Sequence, residues 1–326
     1  MGLSKEMSTS TDKTVILSLT GGLGNQLFQL AAGLSIAAGG QVQVEWDLGL
    51  PRLNQDGKPD IFDFELPESV SLRNSTRPSL ITRKTFSVMR RINVSSKKYR
   101  DLPGMSTLQY LTSFVMFPYL KTFARFEAAR GVGFTDLNAN SRKIFLTGYF
   151  QSYRWASDKN TKRLLEAIEL QNPSEKCMRL IESISKNKPL IIHVRLGDYL
   201  NEKTFGIPDS HYYRMGVERL VVKYPDRPLW VFSNDVPMAK SYLPAEFSDQ
   251  YTFVDDSGLS ACETLEVMRH GTGYVIGNST FSWWAAYLAK DKSASIVAPS
   301  PWFQFQESPK EITPPDWHLE NAWNSN

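Results

Sequence analysis

Leu190-Ile191-Ile192-His193-Val194-Arg195-Leu196-Gly197-Asp198-Tyr199 decides the fold of this 326-residue chain: an apolar run of strand length stops on charged and turn-forming residues. A short, continuous apolar run bounded in this way is the pattern of a strand buried on both faces. The same unit repeats downstream. Strand patterns at 229–233, 251–254, 273–276 and 294–298 alternate with helical spacing at 210–224, 238–243, 261–269 and 281–289. The class is therefore α/β, with a parallel sheet wrapped by helices and ligands expected beyond the carboxyl ends of the strands.

Upstream of Leu190, the break Lys186-Asn187-Lys188-Pro189 is taken as a domain boundary. It divides the chain into a polar tail (1–13), an N-terminal α/β domain (14–186), a second domain (187–303) and a C-terminal tail (304–326). The first domain opens with the strand pattern Val15-Ile16-Leu17-Ser18-Leu19 running into Gly21-Gly22-Leu23-Gly24-Asn25-Gln26, then helical spacing through Leu27, Leu30, Ala31, Leu34 and Ala38. A glycine turn entering a helix presents N–H groups and a favourable dipole, which suits phosphate. The amides of Asn25 and Gln26 either bond such a ligand or serve the helix start; equally, the glycines could supply only positive φ. Leu27 occupies the place of the third small residue of a dinucleotide fingerprint, and no Gly-Lys-Ser/Thr follows, so neither that motif nor a P-loop is present. Further strands are expected at 42–46 and 144–147 and helices at 153–168 and 174–185, whereas 72–133 shows no orderable pattern.

Composition narrows the function classes. Apolar residues make up 41% and charged residues 22%, ordinary for a globular protein; the 12% aromatic share suits pockets for sugars or flat rings. The net charge of +3 implies no strong global partner, but the stretch from Leu72 to Arg163 holds 18 Lys/Arg against four acids. Such a stretch is either a solvated basic face or a surface for an anionic membrane or phosphate-bearing substrate. Nucleic acid is not expected, because these charges are not interleaved with a binding motif. Cys177 and Cys262 cannot form a disulfide framework, and no segment has the pattern of a signal peptide or membrane span. The histidines His193, His211, His270 and His318 are scattered and no Asp-x-Asp pair occurs, so no metal site is expected.

Chemistry concentrates at the strand ends. Arg195, just leaving a buried strand, offers five fixed donors for a pyrophosphate, or else pairs with Asp198 to brace the turn. His193 is a core histidine or a base. Ser233-Asn234-Asp235 either cap the next helix or touch a ligand, and Glu263 is a solvated side chain or a ribose or base contact. Gly277-Asn278-Ser279-Thr280-Phe281-Ser282-Trp283-Trp284 forms a second glycine and hydroxyl turn entering a helix, suited again to phosphate, with the tryptophans packing inward.

In order and context these segments resemble glycosyltransferase family 11, the α-1,2-fucosyltransferases, and more distantly the protein O-fucosyltransferases. The resemblance rests on residues 21–28, Gly148-Tyr149-Phe150-Gln151, His193 to Tyr199 as His-x-Arg-Arg-Gly-Asp-Tyr, Ser233-Asn234-Asp235 and Asn278 to Trp284. It departs at Leu196, which stands where the family has a second arginine. What the resemblance implies is a GT-B architecture, two Rossmann-like domains facing across a cleft, with GDP-fucose as co-substrate and no cofactor. It further implies inverting, metal-independent transfer to a galactoside hydroxyl, O2, in surface polysaccharide or O-antigen synthesis. Arg195 is carried over as the donor-phosphate residue. Gly24, Asn25, Gln26, Ser233, Asn234, Asp235, Glu263, Asn278, Ser279, Thr280, Phe281 and Ser282 are the expected donor-binding set. His193 and Asp198 are the bases by type. A cytoplasmic location is expected, peripheral at the inner membrane face, with a lipid-linked glycan as acceptor and the basic stretch as docking face. Leu196 motivates the competing reading of a decayed glycan- or nucleotide-binding protein, and a transferase of another GDP-sugar is the third.

Overall fold

Val15, Ile16 and Leu17 are all fully buried, so the first strand is covered on both faces, as a central parallel strand must be. The computed structural model describes residues 13–46, 51–73, 83, 126–131, 133–134, 142–197, 199 and 204–323. Asp198 lies outside them, as do residues 74–82, 84–125, 132 and 135–141 of the basic stretch. In chain order the strands are β1 (Thr14–Ser18), β2 (Gln41–Val44), β3 (Phe64–Glu65), β4 (Val70–Leu72), β5 (Phe126–Gly131), β6 (Lys143–Gly148) and β7 (Glu169–Leu170), then β8 (Leu190–Val194), β9 (Leu229–Ser233), β10 (Tyr251–Phe253), β11 (Gly273–Ile276), β12 (Ser295–Ser300) and β13 (His318–Asn321). The helices that matter below are α1 (Leu23–Ala37), α2 (Tyr153–Ser157), α3 (Lys159–Glu166), α4 (Glu175–Asn187), α5 (Ser210–Lys223), α6 (Val236–Ala239), α7 (Ala261–Arg269) and α8 (Thr280–Tyr287).

The chain divides into two compact units, Met1–Pro59 with Leu66–Ile168, and Asp60–Glu65 with Glu169–Asn326. The first holds a parallel sheet in the order β4-β2-β1-β6-β5, with Thr14 opposite Gln41 on one side and Lys143 on the other. The second holds a six-stranded parallel sheet, β10-β9-β8-β11-β12-β13. Numbered from β8, that is the 3-2-1-4-5-6 order of a dinucleotide-binding sheet. The α/β class is thus as the alternation of apolar runs and helical spacing predicts, and the two Rossmann-like sheets are as the family resemblance implies.

Two boundaries differ from the sequence reading. The units part at Ile168/Glu169 rather than at Lys186–Pro189, because α4 belongs with the second unit: its Cys177 is fully buried and the Sγ points to the carbonyl of Glu263 on α7. The segment after 303 is no tail. It returns to the sheet as β13, pairing Val297 with His318, and Ala322 joins the core. Among the described residues no helix is long and apolar enough to cross a membrane.

In an open α/β sheet the strand order reverses at one point, where the loops on either side diverge and leave a crevice. In the first unit that point lies between β1 and β6, and in the second between β8 and β11. Both carry the motif residues.

Candidate functional site

At the second unit's switch point His193 pairs with Ile276. Two residues further along each strand direction stand Arg195 and Asn278. Arg195 is half-buried, with its Cζ 5.7 Å from the centroid of the Tyr199 ring. The turn after it is held from two directions. Leu196 is fully buried in the core made with Tyr212, Tyr213, Ala239 and Leu243, and its N–H donates to Asn234 Oδ1 at 2.9 Å. Gly197 adopts φ +61°, and a Cβ there would lie 2.1 Å from Asn234 Nδ2. A side chain at 196 therefore points into the core, and an arginine there would bury its charge among apolar residues. Of the two positions, Arg195 is the one left partly exposed, beside the Tyr199 ring.

His193 is 6% exposed. Its carbonyl accepts from Tyr213 Oη at 3.2 Å and from the Gly277 N–H at 3.1 Å, and its Nδ1 has no hydrogen-bond partner among the described residues. Burial, and then the Arg195 charge, push its pKa down to about 3, so the ring stays neutral and is a weak base. Asp198, the other expected base, lies outside the described residues.

The other expected donor residues divide by what their polar atoms already bond. Asp235 caps α6, its Oδ1 accepting from Met238 N–H at 3.0 Å, and Ser233 Oγ donates to the Asp235 carbonyl at 3.2 Å. Asp235 and Ser233 thus serve the start of α6, while Asn234 braces the turn at Leu196. Glu263 is not a solvated side chain: its Oε2 accepts from Ser260 N–H at 2.8 Å and its Oε1 from Ser174 N–H at 2.7 Å. It closes a reciprocal capping box at the start of α7, a role that the spacing Ser260-Ala261-Cys262-Glu263 announces. Asn278 is fully buried, its Nδ2 donating to the carbonyls of Phe205 (3.2 Å) and Gly206 (3.0 Å). Ser279 Oγ caps α8 through Phe281 N–H, and Ser282 Oγ donates to the Ser279 carbonyl. Thr280 and Phe281 are half-buried at the helix start, with Phe281 6.1 Å from the His193 ring.

At the first unit's switch point Gly21 takes φ +74° and Gly22 starts α1 in extended geometry with no side-chain cap. Gly24 is buried in the first turn. Asn25 is half-buried; its Oδ1 accepts from Gln151 Nε2 at 2.9 Å, and a Cβ on Gly21 would lie 2.6 Å from its Nδ2. Gln26 is fully buried and donates to the carbonyls of Gly21 and Arg52, both at 2.9 Å, so its amide holds the turn's backbone.

Three positioning side chains, Gln29, Tyr212 and Tyr213, escaped the sequence reading, and Gln151 entered it only as part of a motif. Gln29, fully buried, donates to the carbonyls of Gly148 (2.9 Å) and Thr20 (3.2 Å), tying the loops after β1 and β6 together. Gln151 does the same through Asn25. Tyr212 and Tyr213 of α5 reach the carbonyls of Ile276 and His193, closing the ends of β11 and β8. A polar residue on the apolar face of a helix, as Gln29 is, was the available signal, because a buried amide must find partners.

Among the described residues no group of three or more His, Cys, Asp or Glu could hold a metal ion. The chain is 25% identical over 301 residues to an alpha-1,2-colitosyltransferase of Escherichia coli, covering 90% of this chain and 93% of that one. It is 24% identical over 325 residues to the O-antigen biosynthesis glycosyltransferase WbnK of Escherichia coli, covering 92% and 98%. Among solved structures it is similar to NodZ alpha-1,6-fucosyltransferase co-crystallized with GDP (14% identity, 85% and 92% coverage, TM-score 0.47) and to POFUT1 in complex with GDP-fucose (12%, 92% and 100%, 0.45). The model of glycosyl transferase family 11 matches residues 120–321, more than half of the chain, and so the chain belongs to glycosyl transferase family 11.

Proposed function

We propose that this glycosyltransferase moves fucose from GDP-fucose, with inversion and without a metal ion, to a galactoside hydroxyl, O2, of a surface-polysaccharide or O-antigen acceptor. The observation that supports this reading best is Arg195 at the switch point of a 3-2-1-4-5-6 sheet, beside the start of α8. There a guanidinium and a helix N-terminus together offset the charge that develops on the leaving diphosphate. The acceptor oxygen attacks the anomeric carbon as the bond to the diphosphate breaks, and the hydroxyl proton leaves late, as an oxocarbenium-like transition state allows. Buried, neutral His193 is better suited to shaping the pocket than to taking that proton, which leaves Asp198 as the base by type. The name of one relative, a colitosyltransferase, favours one second reading: transfer of colitose in place of fucose.

The test is GDP release from GDP-fucose and GDP-mannose with EDTA present, over a panel of galactoside acceptors. Acceptor-dependent release from GDP-fucose supports the proposal, and dependence on an added divalent ion or preference for GDP-mannose refutes it. Arg195→Ala should lower the rate by about 10²–10³ with an unchanged melting temperature. A variant retaining near-full activity would remove Arg195 from the mechanism.

A further inference from the structure

Two aromatic segments have no role in the reading above: Phe205, between β8 and α5, and Trp302-Phe303-Gln304-Phe305, after β12. They meet beside the candidate site. The Tyr199 ring, next to Arg195, lies 5.2 Å from Phe205, which stacks on Phe303 at 4.9 Å and 25°. Phe303 is 7% exposed and backs the group, Tyr199 and Phe205 are half-buried, and Phe305 is 67% exposed.

The rings are held in place. Gln304 N–H donates to the Phe205 carbonyl at 3.0 Å and Phe305 N–H to the Thr204 carbonyl at 3.2 Å, lacing the two segments edge to edge. Asn278 is the pin between them and the sheet: its Nδ2 bonds the carbonyls of Phe205 and Gly206, and its own carbonyl accepts from Tyr199 Oη at 3.2 Å. Gly206 sits at φ +70°, and a Cβ there would lie 2.6 Å from Gln304 Oε1. The Nδ2 and carbonyl of this buried motif asparagine thus hold the aromatic segments, while its Oδ1 has no hydrogen-bond partner among the described residues.

Resting on the proposed transfer, we propose that Tyr199, Phe205 and Phe305 form a stacking shelf for the acceptor glycan. A pyranose presents an apolar C–H face that suits an aromatic ring, and rigid rings take it up with little loss of conformational freedom. The shelf begins at Tyr199, beside Arg195 where the diphosphate leaves, passes to Phe205, and takes in the exposed Phe305 on the segment laced to Phe205. Rings carried on two laced segments suit an oligosaccharide whose reacting galactoside lies at the Arg195 end. Scattered exposed rings are ordinary on a surface; a laced set that starts beside the candidate donor arginine is not.

The test compares wild type, Phe305→Ser and Phe205→Leu with GDP-fucose as donor and two acceptors, a galactose-terminated tetrasaccharide and methyl β-galactoside. Phe305→Ser should raise KM for the tetrasaccharide about 3- to 10-fold, from the worth of an aromatic contact, and leave KM for the monosaccharide and the GDP Kd where they are. Phe205→Leu should raise both acceptor KM values. Unchanged acceptor KM values in both variants, or an effect confined to donor KM, overturn the shelf. A wild type that turns over no GDP-sugar refutes the proposed transfer instead. The shelf is then decided by calorimetric titration of the tetrasaccharide into wild type and Phe305→Ser: binding lost in the variant supports it, and equal or absent binding in both overturns it.

Discussion

Replacing Asn234 by alanine separates two jobs that the Ser233-Asn234-Asp235 loop could do. In the structure its Oδ1 accepts the Leu196 N–H at 2.9 Å and its Nδ2 lies against Gly197, so the amide braces the turn that carries Arg195. The change removes one backbone-to-side-chain hydrogen bond, of net worth roughly 0.5–1.5 kcal/mol, or about 2- to 13-fold in a rate or equilibrium constant. Asn234 is exposed, so water can replace the lost acceptor and the effect should fall in the lower half of that range. The assay is kcat/KM for GDP-fucose in a GDP-release measurement, with the melting temperature followed in parallel. Asn234→Asp keeps an acceptor for the Leu196 N–H and should recover the melting temperature lost in Asn234→Ala. If Asn234→Ala instead costs the 10²–10³ predicted for loss of Arg195, the amide contacts the donor directly and the bracing argument is wrong.

Two further expectations concern acid. Glu266 is buried, which opposes its ionisation, but the hydrogen bond from His270 and the charges of Arg269 and Lys290 outweigh burial and hold its pKa at about 2. A depressed carboxylate stabilises the fold above its unfolded value and loses that contribution as pH falls from about 4.5 to about 2, on the order of 3 kcal/mol in all. Glu266→Gln should flatten the denaturation profile in that window and weaken the fold at pH 7, where Arg269, 1% exposed, loses its partner carboxylate; an unchanged slope refutes this. His193, whose pKa lies below its unfolded value, contributes stability that is complete above about pH 6.5 and declines as pH falls towards 3. His193→Gln should remove the slope between pH 6.5 and 4.5, and a catalytic acid limb near pH 6.5 that vanishes in this variant would show the ring working as a base after all.

How much of this was legible depended on where each residue finds its partner. β8, β9, β11 and α7 occupy the ranges that their apolar spacing predicts, residue for residue, because strands and helices buried along their length announce themselves locally. The single helical run at 153–168 is two helices, since Asp158 accepts from Asn160 and Thr161 N–H and starts α3. The run at 238–243 starts earlier, at Val236 behind the Asp235 cap, and tightens into a 3₁₀ turn over Lys240–Tyr242. β13 was invisible because His-Leu-Glu-Asn carries no strand pattern; it is a strand only because β12 offers an edge. The affiliation of α4 was hidden for the same reason, its apolar face being completed by α7 far along the chain.

The site was legible in position but not in role. Every motif lies at the carboxyl end of a strand, as the sequence patterning predicts. Yet Gln26, Glu263 and Asn278 are bonded to backbone groups, and the hydroxyls of Ser279 and Ser282 to their own helix. The chemistry that makes an amide or carboxylate a good ligand contact is the chemistry that lets it hold a diverging loop, and residue type cannot separate the two. Leu196 shows the same thing from the other direction. In sequence it looks like a lost charge; in the structure its side chain completes the core while its backbone takes the Asn234 brace. A turn anchored from both sides can present one guanidinium firmly, so Leu196 in place of a second arginine is no sign of a collapsed turn.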